Sequence, residues 1–342
     1  AGRCHAWRLG QQVLAEQRLS ALGDFIGLFN FYTGQGKDDL RVSEAMELMD
    51  EWAMTEYQDQ PEVASTILTS VGLFHLSFDN IERAHEVLEY VLQLRSDSDA
   101  GERGEAHHNL GRVWMDKRDF LQAENHYLMA LDLRTTALGA MHPDVAMTLQ
   151  HLGACKRKQQ DFKSAEFFYS RAESTLVDLG LFDGERAARL LNSRAWLQND
   201  RALEAGSRQD QEEVEERRLQ ALAMFLHASA MIRSEAAPDD FRIGRSERSI
   251  GTQLRWLNRH EEAIERYDEA IRILSTKGVD SDEVLATTVD RARSLLALGR
   301  DLKTTAAELH RVVSVQEHLA QERADPGLED KARQTRELLI DF

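Results

Sequence analysis

The segment that comes nearest to a phosphate-binding loop is Gly34-Gln35-Gly36-Lys37-Asp38. A Walker A loop needs a glycine where this chain has Phe31 and a serine or threonine where it has Asp38. The glycines make the tight phosphate cradle and the hydroxyl binds Mg²⁺, so both chemical functions are missing. We interpret the segment as a flexible turn and expect no nucleotide cofactor.

Histidines provide the next candidates, at His107, His108 and His151. Adjacent residues of a helix point about 100° apart, so His107 and His108 cannot share a metal ion without a third element. The sequence places no cysteine or carboxylate set at ligand spacing beside them, and the HExxH pattern is absent. A solvated or groove-lining role is favoured, and we expect no metal site.

Nucleophilic catalysis has no sequence signature in this chain. There is no Gly-x-Ser-x-Gly elbow and no Cys-x-x-Cys motif. Cys155 follows Gly153 by two residues on a helical pattern, which is typical of a small buried side chain. Pairs of carboxylates are abundant, but helical surfaces supply them by spacing alone. We expect no catalytic residue, no cofactor and no enzymatic activity.

The elements that position these side chains are helices. The 342 residues contain only 4 prolines, 20 glycines and 7% aromatic residues, which argues against a β-sandwich with frequent turns. The hydrophobic fraction of 42% is enough to build a core. A net charge of −17 argues against binding to nucleic acid or to an anionic membrane. No apolar run is long enough for direct membrane insertion.

The compartment is predicted from weaker features. Two cysteines cannot build a disulfide framework, which favours a reducing compartment. The first residues lack the apolar core of a signal peptide. We expect a cytoplasmic location, with an organelle interior or a cilium as the alternatives.

A repeat recurs along the chain, and its units align on Gly72, Gly111, Gly153 and Gly251. An alanine lies twelve residues after each glycine, at Ala84, Ala123, Ala165 and Ala263. A large side chain follows four residues later, at Leu88, Tyr127, Tyr169 and Tyr267. A small or β-branched residue lies seven residues after each alanine, at Val91, Ala130, Ala172 and Ala270. Small residues that let two antiparallel helices approach, with large ones filling the remaining groove, predict helical hairpins.

The spacing of 39 and 42 residues between the first three glycines, and the segment Ala137–Ala146 before Leu149, resemble the kinesin light chain type of tetratricopeptide repeat. The resemblance is strong over 61–180 and moderate over 239–320. It implies an all-α fold, a tetratricopeptide-type α-α superhelix of six or seven helical hairpins with a concave inner groove. In such an array each unit contacts its neighbours and no separate catalytic domain is expected.

The predicted organisation has five parts. Residues 1–60 form a divergent N-terminal hairpin, from Gln12–Tyr32 and Leu40–Tyr57, and 61–180 form the core repeats. Residues 181–238 form a divergent repeat with a charged insertion at 199–218, whose helix we expect to dock from Leu219 onward. In this repeat either Ser193 or Asn192 fills the glycine position. Residues 239–325 form the C-terminal repeats, and 326–342 a capping helix.

The family implies that the first helix of each hairpin lines the groove and faces a bound peptide. Carried onto this sequence, those positions predict a peptide groove lined by His108, Asn109, Arg112, Met115, Gln150, His151, Ala154, Arg157, Arg248, Ser249, Thr252 and Arg255. Side-chain amides can satisfy the backbone of an extended peptide, and arginines can bind carboxylates. The groove is therefore predicted to prefer acidic segments. The alternative is that these arginines are solvated or pair with neighbouring helices.

The function predicted from these observations is a non-enzymatic scaffold or adaptor that binds protein partners in the groove as part of a larger complex. Two other classes stay open. One is a structural subunit of a large ciliary, organellar or membrane-associated assembly. The other is a regulatory domain of a larger enzyme.

Overall fold

The structure is a computed structural model that describes residues 50–78, 80–95, 100–279, 281–323 and 326–340. Within these ranges the chain forms α-helices, short turns and one 3₁₀ turn at Ser275–Lys277, and it contains no strand. The predicted all-α fold is confirmed. The expected N-terminal hairpin lies outside the described residues except for its end, where 50–56 are helical.

The chain divides into two compact units, Ala1–Thr175 and Leu176–Phe342. The helices of the first unit are α1 (Pro61–Ser77), α2 (Ile81–Leu94), α3 (Ala100–Asp116), α4 (Phe120–Leu138), α5 (Pro143–Lys158) and most of α6 (Phe162–Asp178). Those of the second are α7 (Gly184–Ser207), α8 (Gln211–Glu235), α9 (Phe241–Trp256), α10 (His260–Leu274), α11 (Asp282–Leu298), α12 (Leu302–Arg323) and α13 (Pro326–Leu339).

Three pairs of successive helices, α3–α4, α5–α6 and α7–α8, are joined by the same type of turn. One residue takes a left-handed backbone conformation, with φ of 60° at Arg118, 63° at Gln160 and 61° at Gln209. The aspartate that follows caps the second helix, because its carboxylate accepts from a backbone N–H three residues on, at Asp119, Asp161 and Asp210. The turn therefore stops one helix and starts the next within a few residues.

Close approach of a glycine to an aromatic ring fixes the packing within a pair. Tyr127, Tyr169 and Tyr267 are fully buried. A Cβ built on Gly111 would lie 2.6 Å from Cδ1 of Tyr127, and one on Gly153 would lie 2.5 Å from Cε1 of Tyr169. The ring thus lies directly on the backbone of the facing helix. An alanine at either glycine would therefore overpack the ring.

The α7–α8 pair uses a variant of this contact. Ala195 is fully buried and packs in one cluster with Ala221 and Phe225. Seven residues before Ala195 on α7, Ala188 packs in a second cluster with Ile232 of α8. This register places Ala195 in the glycine position and Phe225 in the tyrosine position. Both registers considered from the sequence, with Ser193 or with Asn192, are therefore wrong. The pattern was ambiguous because an alanine replaces the glycine.

The charged segment 199–218 lengthens both helices of this pair. Ala202, Ala205 and Val214 are buried, and a Cβ on Gly206 would lie 3.7 Å from Cγ2 of Val214. The pair is thus packed from Val214 onward, five residues before the predicted docking point at Leu219. Small residues in the extension allow this, because they bring the two helices together without large apolar side chains.

The C-terminal end of the second unit is covered by α13. Leu338 and Leu339 pack against the core of the α11–α12 pair. The Thr335 hydroxyl donates to Oε1 of Gln316 over 3.1 Å, and both residues are buried. The outward side of α13 is mostly polar and exposed, and its role as a capping helix stays a prediction.

We predict that Gly111→Ala destabilises the protein by about 1 to 3 kcal/mol, because the added Cβ overpacks the Tyr127 ring. The penalty must exceed the gain of up to about 1 kcal/mol that alanine brings to a helix interior. Urea unfolding followed by circular dichroism measures it. Gly206→Ala is the matched control, because its Cβ meets only ordinary contact, and we expect it to be neutral or stabilising. Equal effects at the two positions would contradict the packing scheme.

Candidate peptide-binding sites

A cavity of about 410 Å³ and a second of about 540 Å³ lie side by side in the second unit. The larger one is lined by four arginines, Arg245, Arg248, Arg255 and Arg293, and by the carboxylates of Asp290 and Glu283. We call this cavity the arginine pocket. Its arginines come from α9 and α11, the first helices of two successive pairs.

Asp290 is the centre of the arginine pocket. Its Oδ2 lies 3.3 Å from Nη2 of Arg248, and its Oδ1 lies 3.0 Å from Nη1 of Arg293 and 3.7 Å from Nη2 of Arg255. Its side chain is only 12% exposed. Three guanidinium groups therefore share one buried carboxylate, which leaves an excess of positive charge at this point.

The remaining contacts leave donor capacity in the pocket. Arg245 pairs through Nε with Oε1 of Glu283 over 2.5 Å. Nε of Arg255 is buried and has no hydrogen-bond partner within the described part of the chain. The pocket thus holds four guanidinium groups against two carboxylates, although the whole protein carries a net charge of −17. It can accept a further anionic group.

Thr252 links the pocket to the core of its own hairpin. Its hydroxyl donates to the carbonyl oxygen of Arg248 over 3.0 Å and accepts from the Tyr267 hydroxyl over 3.3 Å. Burial raises the pKa of Tyr267, so this hydroxyl stays a neutral donor. The guanidinium of Arg255 lies 5.9 Å from the centre of the Trp256 ring. These contacts fix the positions of Arg248 and Arg255 on α9.

The smaller cavity adjoins the arginine pocket and shares Trp196, Arg245 and Ser249 with it. Its wall is aromatic. Trp196 meets Phe225 edge to face at 5.4 Å, and the guanidinium of Arg245 lies 4.9 Å from the centre of the Phe241 ring. The smaller cavity also has charged side chains in its wall, from Glu185, Arg189 and Arg242, so it adds aromatic rings and further charged groups to the arginine pocket.

In the first unit, His108 and Asn109 lie inside the helix stack. They are 3% and 5% exposed. The His108 ring meets the His151 ring edge to face at 4.8 Å, and its Nδ1 lies 3.4 Å from the hydroxyl of Thr148. The Tyr127 hydroxyl lies 3.4 Å from Nδ1 of His151. The two histidines predicted for the groove are therefore neighbours, but His108 belongs to the core.

Burial determines the protonation of this cluster. It holds the pKa of His108 well below 6.5, and the charges of His151, Arg134 and Arg112 act in the same direction. Burial raises the pKa of Tyr127 above its usual range. His108 is thus a neutral imidazole in the folded protein, whereas the side chains of Arg112, Gln150, His151 and Arg157 are partly exposed.

The structure brings the four predicted residues of the second unit, Arg248, Ser249, Thr252 and Arg255, to one cavity. Their role in peptide binding stays a prediction. Arg248 and Arg255 also pair with Asp290 of a neighbouring helix, which was the alternative considered from the sequence. Cys155 is buried, donates to the carbonyl oxygen of Phe120, and has a pKa raised to about 11 by burial.

Sequence reasoning missed Arg245, Asp290 and Arg293. The signal for the last two was present, because Ala292 stands in the glycine position of α11 and places Asp290 and Arg293 at groove positions six and nine. The adjoining Trp196 occupies position nine of α7, which becomes clear only once Ala195 is known to fill the glycine position.

The described residues offer no basis for metal binding or for a membrane span. Among the described residues, no group of three or more His, Cys, Asp or Glu side chains could hold a metal ion. None of the described helices combines the length and the apolar character needed to cross a membrane.

The tetratricopeptide repeat family model matches residues 102–176, which cover α3 to α6. This segment consists of tetratricopeptide repeats. The family resemblance predicted from the sequence is confirmed, and the same glycine–aromatic contact recurs beyond the matched segment at Gly251 and Tyr267. No curated protein matches the chain.

Three solved structures illustrate the similarity. The Rap conjugation gene regulator of plasmid pLS20, in complex with the Phr* peptide, has 13% identity and a TM-score of 0.54 over 84% of this chain and 78% of its own. The Cut9–Hcn1 hetero-tetramer of the APC/C has 12% identity and a TM-score of 0.52 over 90% and 47%. Kinesin light chain TPR-like repeats of Podosopora anserina have 12% identity and a TM-score of 0.31 over 75% and 96%. At this identity the first two show the fold of the chain and nothing of its ligands.

We predict that the protein loses stability as the pH falls below 6.5, the ordinary histidine pKa. His108 is neutral when folded and takes up a proton when unfolded, so acid favours unfolding. The same direction holds for His85, His107 and His126, whose pKa values burial also lowers. The contribution of His108 to the free energy of unfolding should be fully present above pH 6.5. It should fall by about 1.4 kcal/mol per pH unit between that pH and the lowered pKa of the folded state.

The test compares the pH dependence of urea unfolding in the native protein and in His108→Gln. Below pH 6.5, the pH dependence of the unfolding free energy should be weaker in the variant by about 1.4 kcal/mol per pH unit, which is the contribution of one proton. His318→Gln replaces an exposed histidine of α12 and is the control, with an unchanged slope. An unchanged slope in His108→Gln would show that His108 is not a buried neutral group.

Proposed function

We propose that the protein is a non-enzymatic scaffold that binds extended, acidic segments of partner proteins in the cytoplasm. The observation that supports this most is the arginine pocket, where Arg248, Arg255 and Arg293 surround the carboxylate of Asp290. The same groups that bind this internal carboxylate can bind the carboxylate of a ligand.

The chemistry of the pocket favours a carboxylate over a neutral ligand. A guanidinium has five N–H donors in a planar fork, and a carboxylate has about four acceptor sites. One aspartate therefore cannot saturate three arginines, and an incoming carboxylate gains charge-assisted hydrogen bonds from the donors that remain. The low exposure of Asp290 strengthens these contacts, because the local dielectric constant is lower than that of water.

The shape of the site favours an extended segment. The arginine pocket continues into the aromatic cavity through Trp196, Arg245 and Ser249, so an occupant of both cavities is longer than a single side chain. The hydroxyls of Ser249 and Thr252 lie along the wall of the arginine pocket and can pair with peptide backbone groups. A peptide chain fits this site better than a compact small molecule.

The structural comparisons agree with this proposal. The Rap regulator was solved with a bound peptide, and the Cut9–Hcn1 structure is a multi-protein assembly. Both therefore show proteins of this fold holding protein or peptide partners. In the first unit, the proposal assigns ligand contacts to Arg112, Gln150, His151 and Arg157, which lie on α3 and α5.

The test is an array of acidic peptides, each paired with a copy in which Asn and Gln replace Asp and Glu. We expect the native protein to prefer the acidic copy, and Arg248→Glu to weaken binding by about tenfold or more, because it places a like charge beside the ligand and Asp290. Fluorescence polarisation on the selected peptides measures the affinity. Arg272→Glu is the matched control, because Arg272 is exposed and pairs only with Glu269 of its own helix among the described residues.

The outcomes separate the two units. Weaker binding in Arg248→Glu, with native affinity in Arg272→Glu, supports the arginine pocket. Weaker binding in the double variant Arg112→Glu and Arg157→Glu shows that the first unit contributes. Equal affinity for acidic and amide peptides, or native affinity in Arg248→Glu, would refute the proposal.

A second candidate function is a structural subunit of a large assembly. The observation that favours it is an apolar face of α4, where Leu121, Leu128 and Met129 are exposed, Leu121 by 70%. An assembly would cover such a face. Crosslinking mass spectrometry in the source cell distinguishes the candidates, because a subunit gives fixed crosslinks from α4 to the same partners, whereas a scaffold gives crosslinks around the arginine pocket.

A further inference from the structure

Helix α8 is apolar on two sides. One side packs into the second unit through Ala221, Phe225, Ala228 and Ile232. On another side, four apolar residues are exposed, and we call them the α8 stripe: Leu219, Ala223, Leu226 and Ala230. Leu219 is 46% exposed and Leu226 is 42% exposed. A surface helix ordinarily has one apolar side, so the stripe is unexplained by the fold of the unit.

The spacing of the α8 stripe is that of a helix–helix seam. Its members follow one another at intervals of four, three and four residues, which keeps them on one line of the helix surface. Leucine and alanine alternate strictly along this line. Each leucine can therefore act as a knob and each alanine can provide the space for one.

We propose that the α8 stripe binds the α8 stripe of a second copy of this chain, with the two helices antiparallel. The occupant is a second copy because the stripe is complementary to itself. An antiparallel two-fold pair places Leu219 opposite Ala230 of the other copy and Ala223 opposite Leu226. Every contact layer then holds one large and one small side chain, which matches the close packing that apolar interfaces need.

A parallel pair fits less well. It would place leucine opposite leucine and alanine opposite alanine, so that crowded layers would alternate with empty ones. It would also bring together the acidic first turns of both helices, which carry Glu212, Glu215 and Glu216. Like charges at that distance repel each other. Side-chain size and charge thus select the same direction.

Charge at the ends of the stripe supports the antiparallel pair. In the register that matches leucine with alanine, the exposed Glu216 of one copy faces Arg233 of the other, whose Nη2 also lies 2.9 Å from Oε1 of Glu247 in its own copy. Between the ends, the stripe itself is uncharged, which removes repulsion from the contact between two copies that each carry −17. The opposed helix dipoles add a favourable term.

Sedimentation equilibrium of the full chain tests the proposal. We expect a concentration-dependent dimer whose dissociation constant rises by about tenfold or more in Ala223→Glu, because a glutamate would be buried at the centre of the seam. Leu203→Glu is the matched control, because Leu203 is an exposed leucine of the neighbouring helix α7 outside the stripe. Circular dichroism confirms that both variants fold, and Ala223 is exposed, so its substitution leaves the core intact.

Disulfide crosslinking tests the direction of the helices in a Cys4→Ser background. A mixture of Leu219→Cys and Ala230→Cys chains should give a crosslinked heterodimer, whereas Leu219→Cys alone should give little. Crosslinking of Leu219→Cys to itself would show a parallel pair and overturn the proposal. A monomer at every concentration, or a dimer that Ala223→Glu does not weaken, would also overturn it.

Discussion

The contact between a glycine of one helix and an aromatic ring of the next is the constraint on which the described repeats depend. At Gly111, Gly153 and Gly251 the facing tyrosine ring occupies the space that a Cβ would need. The two helices of a hairpin can therefore approach at only one register. That register decides which residues of the first helix point away from the core. Ala195 and Phe225 preserve the same contact with different side chains, so the geometry is retained while the sequence signal weakens.

The arginine pocket follows from this register. Because α9 and α11 are each fixed by their own hairpin, Arg248 and Arg255 of one helix stand beside Asp290 and Arg293 of the other. Their positions come from packing beneath them, including the hydroxyl contacts of Thr252 and Tyr267. The excess of guanidinium groups over carboxylates in a protein of charge −17 is thus a local property that composition conceals.

Much of the fold could be predicted because its signals are local. Pro61, Pro143 and Pro326 begin α1, α5 and α13, as expected of a residue whose missing N–H costs nothing in the first helical turn. Pro238 does not begin a helix, because the Asp240 carboxylate caps α9 by accepting from the N–H of Arg242. The register of α7 could not be predicted from the sequence, because an alanine in the glycine position gives no distinctive pattern.

The sequence by itself determined the helical hairpins and the tetratricopeptide resemblance, because each depends on spacing along one chain segment. Only the tertiary structure decided which side chains of the predicted groove are exposed. His108 and Asn109 have the predicted positions, yet neighbouring helices bury them. Asp290 gathers three arginines that are up to 45 residues apart in the chain. The α8 stripe likewise became visible only when exposure was known, since apolar residues on two sides of a helix give no separate signal in its sequence.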